Sequence, residues 1–146
     1  MDQETLTEDL LKRLIDAATP QAYLDTGETI DRGLVDYLHG LLGERKLKRA
    51  DVVRASGLNS TVVYDVFGGK SCPGRNNAIM LAFGLGCTLR EAQRLLRLAG
   101  ASELWPKVRR DAIIAWCIDR GLSRTACDDE LWRLGENTLL GTGPLR

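Results

Sequence analysis

Glycines divide this sequence into short segments, and apolar residues recur at helical spacing within most of these segments. Six of them stand where such segments end: Gly57, Gly69, Gly86, Gly100, Gly121 and Gly135. Glycine adopts the left-handed conformation that ends a helix at little cost, so this pattern predicts helix ends. No segment combines sustained period-two alternation with β-branched residues, as strands require. The sequence therefore predicts an all-α fold, a compact bundle of about seven helices.

Hydroxyl side chains and prolines mark the predicted helix boundaries. A hydroxyl followed three residues later by a carboxylate, the spacing of a capping box, occurs at residues 5–8 and again at residues 88–91. Ser123 is a third candidate cap, and Pro106 lies near the start of the helix before it. Pro20 follows the first predicted helix and indicates its end.

Length and hydropathy bound the class of protein. A chain of 146 residues suits one domain and buries enough surface to fold without a metal or a disulfide. No apolar run approaches the ~20 residues that a membrane span needs, and the acidic start lacks the features of a secretion signal. We therefore expect a cytoplasmic protein that has no membrane partner.

The residue types that metal sites and active sites need are sparse. The four cysteines form no C-x-x-C pair, and His39 is the only histidine. A structural zinc site needs four ligands at close spacing, so we expect reduced, mostly buried thiols and neither a metal nor a cofactor. Residues 68–71 are similar to the end of a phosphate-binding loop but lack its glycine spacing and its preceding strand. We expect no enzyme.

The zero net charge of the chain conceals three regions of different sign. Residues 1–31 carry a net charge of −6, residues 32–110 carry +8, and residues 111–146 carry −2. A basic middle between acidic ends is typical of a nucleic-acid site within a larger neutral protein. The alternative is a chance distribution of charges over solvated helix faces.

Residues 49–70 have the pattern of two short helices joined by a tight turn. Val52 and Val53 face inward from the first helix, and Gly57 makes the turn. Asn59 is positioned to cap the second helix, on which Val63, Val66 and Phe67 recur at i, i+3 and i+4. This pattern predicts a helix-turn-helix, with two helices at a steep angle.

The stretches "RADVVRASGL" (49–58) and "VYDVFGGK" (63–70) resemble the Cro/CI-like (XRE) helix-turn-helix family in its first motif helix, turn and recognition helix. The stretches "TLREAQRLLRLAG" (88–100) and "LWPKVRRDAIIAWCIDRGLS" (104–123) resemble a narrower group of small bacterial proteins that carry this domain plus C-terminal helices. The resemblance implies a lambda-repressor-like helix-turn-helix. It divides the chain into an acidic N-terminal helix and connector (1–31), a helix-turn-helix domain (32–100) and a C-terminal helical extension (101–146) packed on it.

The resemblance also implies which residues touch DNA. The helix that begins at Ser60 is expected to enter a major groove. The expected base-reading residues are Ser60, Thr61, Val62, Tyr64 and Asp65, and the expected phosphate contacts are Arg49, Lys70 and Arg75. Asp65 departs from a typical base reader, because phosphates repel a carboxylate and the cytosine amino group is its one good base partner.

Other charged and aromatic side chains have two interpretations each. Five cations surround the motif: Arg45, Lys46, Lys48, Arg49 and Arg54. They either contact DNA phosphates or are simply exposed to solvent, and we expect the phosphate contacts. For Arg90, Arg94 and Arg97 we expect a solvated face first, and for Arg109 and Arg110 a pairing with Asp111. We expect the three tryptophans in the core, with Trp132 as the best candidate for a dimer or partner surface.

Two functions follow from these patterns. The first is a bacterial, sequence-specific transcription regulator of the Cro/CI-like type that binds double-stranded DNA, with a homodimer left open. The second is a protein–protein interaction module that keeps the helix-turn-helix scaffold but binds DNA weakly or not at all. In that case the acidic N-terminal segment docks on the basic block or on a protein partner.

Overall fold

The computed structural model describes residues 3–25 and 30–141, and within these ranges the chain forms nine helices and no strand. The helices are α1 (Gln3–Asp16), α2 (Pro20–Leu24), α3 (Ile30–Glu44), α4 (Arg49–Ser56), α5 (Ser60–Phe67), α6 (Arg75–Leu85), α7 (Leu89–Leu98), α8 (Arg109–Asp119) and α9 (Arg124–Arg133). The all-α prediction is confirmed, although the helices outnumber the seven expected.

The helix that the sequence pattern did not predict is α2. Its first residue is Pro20, and the Thr19 hydroxyl oxygen accepts a hydrogen bond from the backbone N–H of Ala22 at 3.2 Å. Proline suits the first position of a helix, because the N–H that it lacks has no partner within the helix there. Pro20 therefore begins a helix, where we expected it only to follow one.

The predicted helix ends are confirmed, since all six glycines have a positive φ. Five of these ends are Schellman motifs, in which the residue after the glycine donates its N–H to the carbonyl five residues earlier. One example is the 3.0 Å bond from Leu122 to Cys117. The end of α3 has the same hydrogen bond, from Leu47 to Leu42 at 3.0 Å, but Lys46 stands at the glycine position with a φ of 53°.

Two of the predicted helix caps are confirmed and one predicted capping box is wrong. Thr88 and Glu91 form the predicted capping box, and the Ser123 hydroxyl caps α9. The box predicted at residues 5–8 is wrong, because α1 begins at Gln3 and these residues lie within the helix. Residues 105–108 form a turn in which the Val108 N–H bonds to the Trp105 carbonyl at 2.9 Å, so α8 begins after Pro106 at Arg109.

The most buried helix is α6, which packs against α4, α7 and α9. Seven of its eleven residues are buried: Ala78, Ile79, Met80, Leu81, Ala82, Gly84 and Leu85. A helix that is apolar around most of its circumference is surrounded by other elements. The other close contacts join α1 to α2, α3 to α5 and α7, α4 to α5, and α8 to both α7 and α9.

Gly84 is the point of closest approach between α4 and α6. A Cβ atom at this position would lie 2.9 Å from the Ser56 Cβ and 3.0 Å from the Val52 carbonyl oxygen. Ser56 and Val52 are themselves completely buried. Only a residue without a side chain therefore allows the backbone of α6 to lie this close to α4.

The expectation that the tryptophans form the core is wrong. The exposed fractions of Trp105, Trp116 and Trp132 are 59%, 47% and 49%. Smaller side chains fill the space between α8 and α9, including Ile114 and Leu131, and leave the indole rings outside. Within the described ranges, no helix has the length and hydropathy that a bilayer span requires.

We predict that Gly84→Ala lowers the free energy of unfolding by about 1–3 kcal/mol, because the added methyl group forces α4 and α6 apart. Urea unfolding followed by circular dichroism measures the change. Gly40→Ala in α3 is the matched control, since nothing lies within 4 Å of its added Cβ. The control is expected to gain up to ~1 kcal/mol from the higher helix propensity of alanine. Equal stability of the two variants would contradict this account of Gly84.

Candidate nucleic-acid interface

Residues 57–59 connect α4 to α5, and side chains on both sides satisfy the backbone of this turn. The Asn59 Oδ1 accepts from the Val62 N–H at 2.9 Å and caps α5 as predicted. The Ser56 Oγ accepts from the Leu58 N–H at 3.1 Å. Gly57 has a φ of 82°, which few other residues adopt without strain. The two helices are therefore joined by a turn with defined geometry.

The turn is also covered by a side chain from the C-terminal part of the chain. Arg124, at the start of α9, packs against Gly57 so closely that a Cβ there would lie 2.6 Å from the Arg124 Nε. Asp128 pairs with the Arg124 guanidinium, and its other carboxylate oxygen accepts from the Leu139 N–H at 2.6 Å. Gly57 is thus required both for its backbone conformation and for the space that Arg124 occupies.

The expected base-reading residues all lie on the outer side of α5. Ser60, Thr61 and Tyr64 are exposed, and Val62 and Asp65 are half-buried. The inner side consists of the three predicted core residues, which are buried: Val63, Val66 and Phe67. The structure therefore brings these five candidates together on one accessible helix face.

His39 holds the C-terminal end of α5. Its Nε2 donates to the Phe67 carbonyl oxygen at 2.8 Å, and its ring meets the Phe67 ring edge-on at 5.4 Å between centroids. The last carbonyls of a helix have no partner within that helix. His39 therefore fixes the end of α5 against α3. The sequence alone does not indicate this role.

Arg49 connects the start of α4 to the outer face of α5. Its guanidinium carbon lies 4.8 Å from the centroid of the Tyr64 ring. A cation–π contact at an exposed site contributes about 0.5–1 kcal/mol, enough to favour one orientation of both side chains. A predicted phosphate contact and a predicted base-reading residue thus lie side by side.

Three further cations near this face form no ion pair with any described residue. They are Lys46, Lys48 and Lys70, and all three are exposed. Two arginines of the expected basic cluster differ, because Arg45 pairs with Glu91 and Arg54 pairs with Asp51. The available positive charge is therefore concentrated before and at the start of α4 and directly after α5.

The backbone at Lys46 is strained. Its φ of 53° lies in the left-handed region, where a residue with a Cβ costs roughly 1–2 kcal/mol relative to glycine. The other Schellman motifs described above have glycine at this position. Lys46 therefore occupies a position where glycine would be more stable.

Arg75, the third expected phosphate contact, is half-buried and bonded to groups of its own chain. Its guanidinium forms two bonds with the Asp111 carboxylate, at 2.9 and 2.8 Å, and donates to the carbonyls of Ser102 and Glu103 at 3.0 Å each. Four of its N–H groups are therefore used within the chain. Arg75 joins the start of α6 to α8, and we leave it out of the proposed phosphate contacts.

The Asp111 carboxyl has a lowered pKa. Its burial opposes ionisation, but hydrogen bonds from the Arg75 guanidinium and from the Trp105 N–H outweigh burial. Arg110 adds a smaller favourable charge. The net effect is that the ionised form, which holds Arg75, is stabilised in the folded chain.

The expected pairing of Arg109 and Arg110 with Asp111 is wrong, because Arg75 occupies that carboxylate. Arg109 donates to the Leu134 carbonyl at 2.7 Å, and Arg110 donates to the Asn137 carbonyl at 2.9 Å. Arg94 lies over the Tyr37 ring, with its guanidinium carbon 5.0 Å from the centroid. Tertiary contacts therefore use several arginines that we assigned to local pairs or to solvent.

The cysteines are free thiols, and three of the four are buried: Cys87, Cys117 and Cys127. Burial raises the pKa of the Cys87 thiol to about 12. Among the residues that the structure describes, no group of histidine, cysteine or acidic side chains is arranged to hold a metal ion.

Comparison with known proteins identifies no relative. No family model matches the chain, and neither a curated protein nor a solved structure matches it.

We predict that Asp111→Asn lowers the free energy of unfolding at pH 7 by about 3 kcal/mol, because it leaves the Arg75 charge without its partner. The pKa of Asp111 is depressed, so the stabilisation is present above the ordinary carboxyl value of 3.8 and disappears as the pH falls through the lowered pKa. The difference between wild type and variant should therefore shrink in acid.

Urea unfolding at pH 7 and at pH ~3 measures this difference. Asp119→Asn on the same helix is the control, since Asp119 is exposed and lies 4.0 Å from Arg120. The control is expected to change stability by less than ~0.5 kcal/mol. A difference between wild type and Asp111→Asn that stays constant with pH would contradict the role of the ionised carboxylate.

Proposed function

We propose that this protein is a sequence-specific DNA-binding transcription regulator in which α4, the turn and α5 form a Cro/CI-like, lambda-repressor-like helix-turn-helix. The observation that carries the proposal is the accessible face of α5 with cations around it. Arg49 touches Tyr64 on that face, and Lys46, Lys48 and Lys70 have no ion-pair partner among the described residues. A short helix with free cations on its flanks suits a major groove bordered by phosphates.

The cations are divided between the two ends of the motif. The N–H groups at the start of α4 give that end a partial positive charge, to which Lys46, Lys48 and Arg49 add full charges. Lys70 follows the end of α5, where its backbone N–H bonds to the Asp65 carbonyl at 2.8 Å. In the proposed complex these groups bind phosphates on either side of the groove and set the register of α5.

Base recognition falls to the five residues on the outer side of α5. A carboxylate at position 65 accepts from the amino group of cytosine, and the methyl groups of Val62 contact a thymine methyl. Ser60 and Thr61 bond to several bases and discriminate poorly. The face lacks an arginine or glutamine for bidentate readout, each worth about 1–3 kcal/mol of discrimination. We therefore expect modest specificity with a preference for cytosine and thymine on one strand.

The alternative function is a protein-interaction module on the same scaffold. A neutral or acidic α5 face would favour it, because such a face repels or ignores phosphates. However, Asp65 is the one acidic residue within α5, and the Asp51 carboxylate of α4 already pairs with Arg54, whereas Lys46, Lys48, Arg49 and Lys70 flank the motif. This balance of charge supports DNA as the partner.

The test of this function is fluorescence anisotropy of labelled DNA from upstream of the gene, beside a scrambled duplex, at several salt concentrations. We expect tighter binding to the native duplex and a linear loss of log affinity with log salt. Lys70→Ala and Lys46→Gly should each reduce the salt slope by about 1 and weaken binding equally on both duplexes. Lys46→Gly should also raise the free energy of unfolding by about 1 kcal/mol, since glycine relieves the strain.

The control for these variants is Lys107→Ala, which removes one exposed positive charge from the turn before α8 and should leave the salt slope unchanged. Absence of binding to either duplex at low salt would overturn the proposed function. Loss of stability in Lys46→Gly would instead contradict only the claim that this position is strained.

We predict that Asp65→Ala changes base preference without unfolding the protein. Selection of bound duplexes from a randomised pool, followed by sequencing, should show a cytosine preference for the wild type at one position. The variant should lose that preference, while its overall affinity rises as repulsion from phosphates is removed. Asp36→Ala, an exposed position on α3, is the matched control. An unchanged preference and affinity in Asp65→Ala would show that Asp65 lies outside the groove.

A further inference from the structure

The Arg124 side chain lies between α9 and the turn that joins α4 to α5, and it is only 12% exposed. A Cβ atom at Gly57 would lie 2.6 Å from its Nε, 3.1 Å from its Cζ and 3.2 Å from its Cδ. Three consecutive atoms of this arginine are therefore packed against the Gly57 backbone. Such close packing on one side of the turn restricts its movement.

Contacts on α9 fix the orientation of this guanidinium. Its Nη1 donates to the Asp128 carboxylate, and its Nη2 donates to the Thr125 Oγ1 at 3.2 Å. Because a guanidinium is planar and rigid, two bonds from different nitrogens define the direction in which it faces. Asp128 is buried, so the carboxylate that holds Arg124 has little freedom of its own.

The chain after α9, residues 136–141, supports Asp128 in turn. Leu139 is buried in the core and donates its backbone N–H to the Asp128 Oδ1 at 2.6 Å. Arg110 of α8 donates to two carbonyls of this segment, at 2.9 and 3.3 Å. The position of Arg124 on the turn therefore depends on a segment that lies far from α4 and α5 in the sequence.

The charge of Arg124 also suits its position. Gly57 is the C-cap of α4, and the carbonyls at a helix C-terminus give that end a partial negative charge. The Arg124 Nε has no hydrogen-bond acceptor among the described residues. Packing and charge, rather than a hydrogen bond from Nε, therefore hold the arginine against the turn.

We propose that Arg124 is a positioning residue for base recognition, which holds the Gly57 turn and thereby fixes α5 relative to α4. Recognition of a base requires side chains within about 0.5 Å of their productive positions. Lysines that bind phosphates have flexible stems and adapt to small shifts. Loss of the Arg124 contact should therefore reduce discrimination between DNA sequences and leave phosphate binding unchanged. The inference rests on the proposed function, because it concerns readout by α5.

Site-resolved amide hydrogen exchange tests the contact with the turn in the absence of DNA. The backbone N–H groups of Leu58 and Val62 bond to side chains at the turn, and in Arg124→Lys they should exchange about tenfold faster than in wild type. The amides of α6 should keep their wild-type rates. Lysine retains a positive charge beside the buried Asp128, so this variant avoids the unpaired carboxylate that Arg124→Ala creates.

The matched control is Arg133→Ala. It removes an arginine that pairs with a carboxylate of the same helix, Glu130, at the opposite end of α9 from Arg124. This variant should keep the wild-type exchange rates at the turn and the wild-type DNA affinities.

Fluorescence anisotropy with the native and scrambled duplexes gives the second readout. Arg124→Lys should reduce the ratio of the two affinities about tenfold, with the salt slope unchanged. Unchanged exchange at the turn, or an unchanged affinity ratio, would overturn the inference. A lower salt slope in Arg124→Ala would also overturn it, because Arg124 would then bind a phosphate itself. Faster exchange at the turn with a wild type that binds neither duplex would overturn the proposed function and leave the role of Arg124 at the turn intact.

Discussion

The close approach of α4 to α6 at Gly84 is the constraint on which the rest of the structure depends. Because α6 has no side chain at this point, the Val52 carbonyl and Ser56 lie directly against its backbone. Buried α6 in turn packs against α7 and α9, so the position of α4 is set from the centre of the molecule. The orientation of the proposed DNA-binding face thus follows from a contact in the core, which resists deformation because interiors are closely packed.

The C-terminal helices hold the proposed interface from behind. Arg75 ties the start of α6 to Asp111 of α8, and Arg124 of α9 covers the turn at Gly57. Both arginines are bonded to carboxylates within the chain, whereas Lys46, Lys48 and Lys70 form no ion pair with any residue that the structure describes. Arg75 and Arg124 therefore stabilise the fold through ion pairs. The lysines that are available to a partner lie close to α4 and α5.

Several features were predictable from sequence because their causes are local. The conformation of a glycine, the reach of Asn59 or Ser123 to a nearby N–H, and the inward spacing of Val63, Val66 and Phe67 all depend on neighbouring residues alone. Helix ends at the glycines and the inner face of α5 were therefore correct. Two local patterns gave wrong predictions. Pro20 was expected only to follow a helix, but proline also suits a helix start. The hydroxyl and carboxylate at residues 5–8 have capping spacing, but the same spacing also fits within a helix.

The sequence by itself determined that this chain is helical, where most of its helices end, and which residues α5 presents to its surroundings. Only the tertiary structure decided that Arg75 is bound to Asp111, that His39 holds the end of α5, and that the tryptophans lie outside the core. The physical reason is the range of the interactions. Capping and backbone conformation act within a few residues, whereas a buried ion pair or a filled core joins residues that are far apart in the chain.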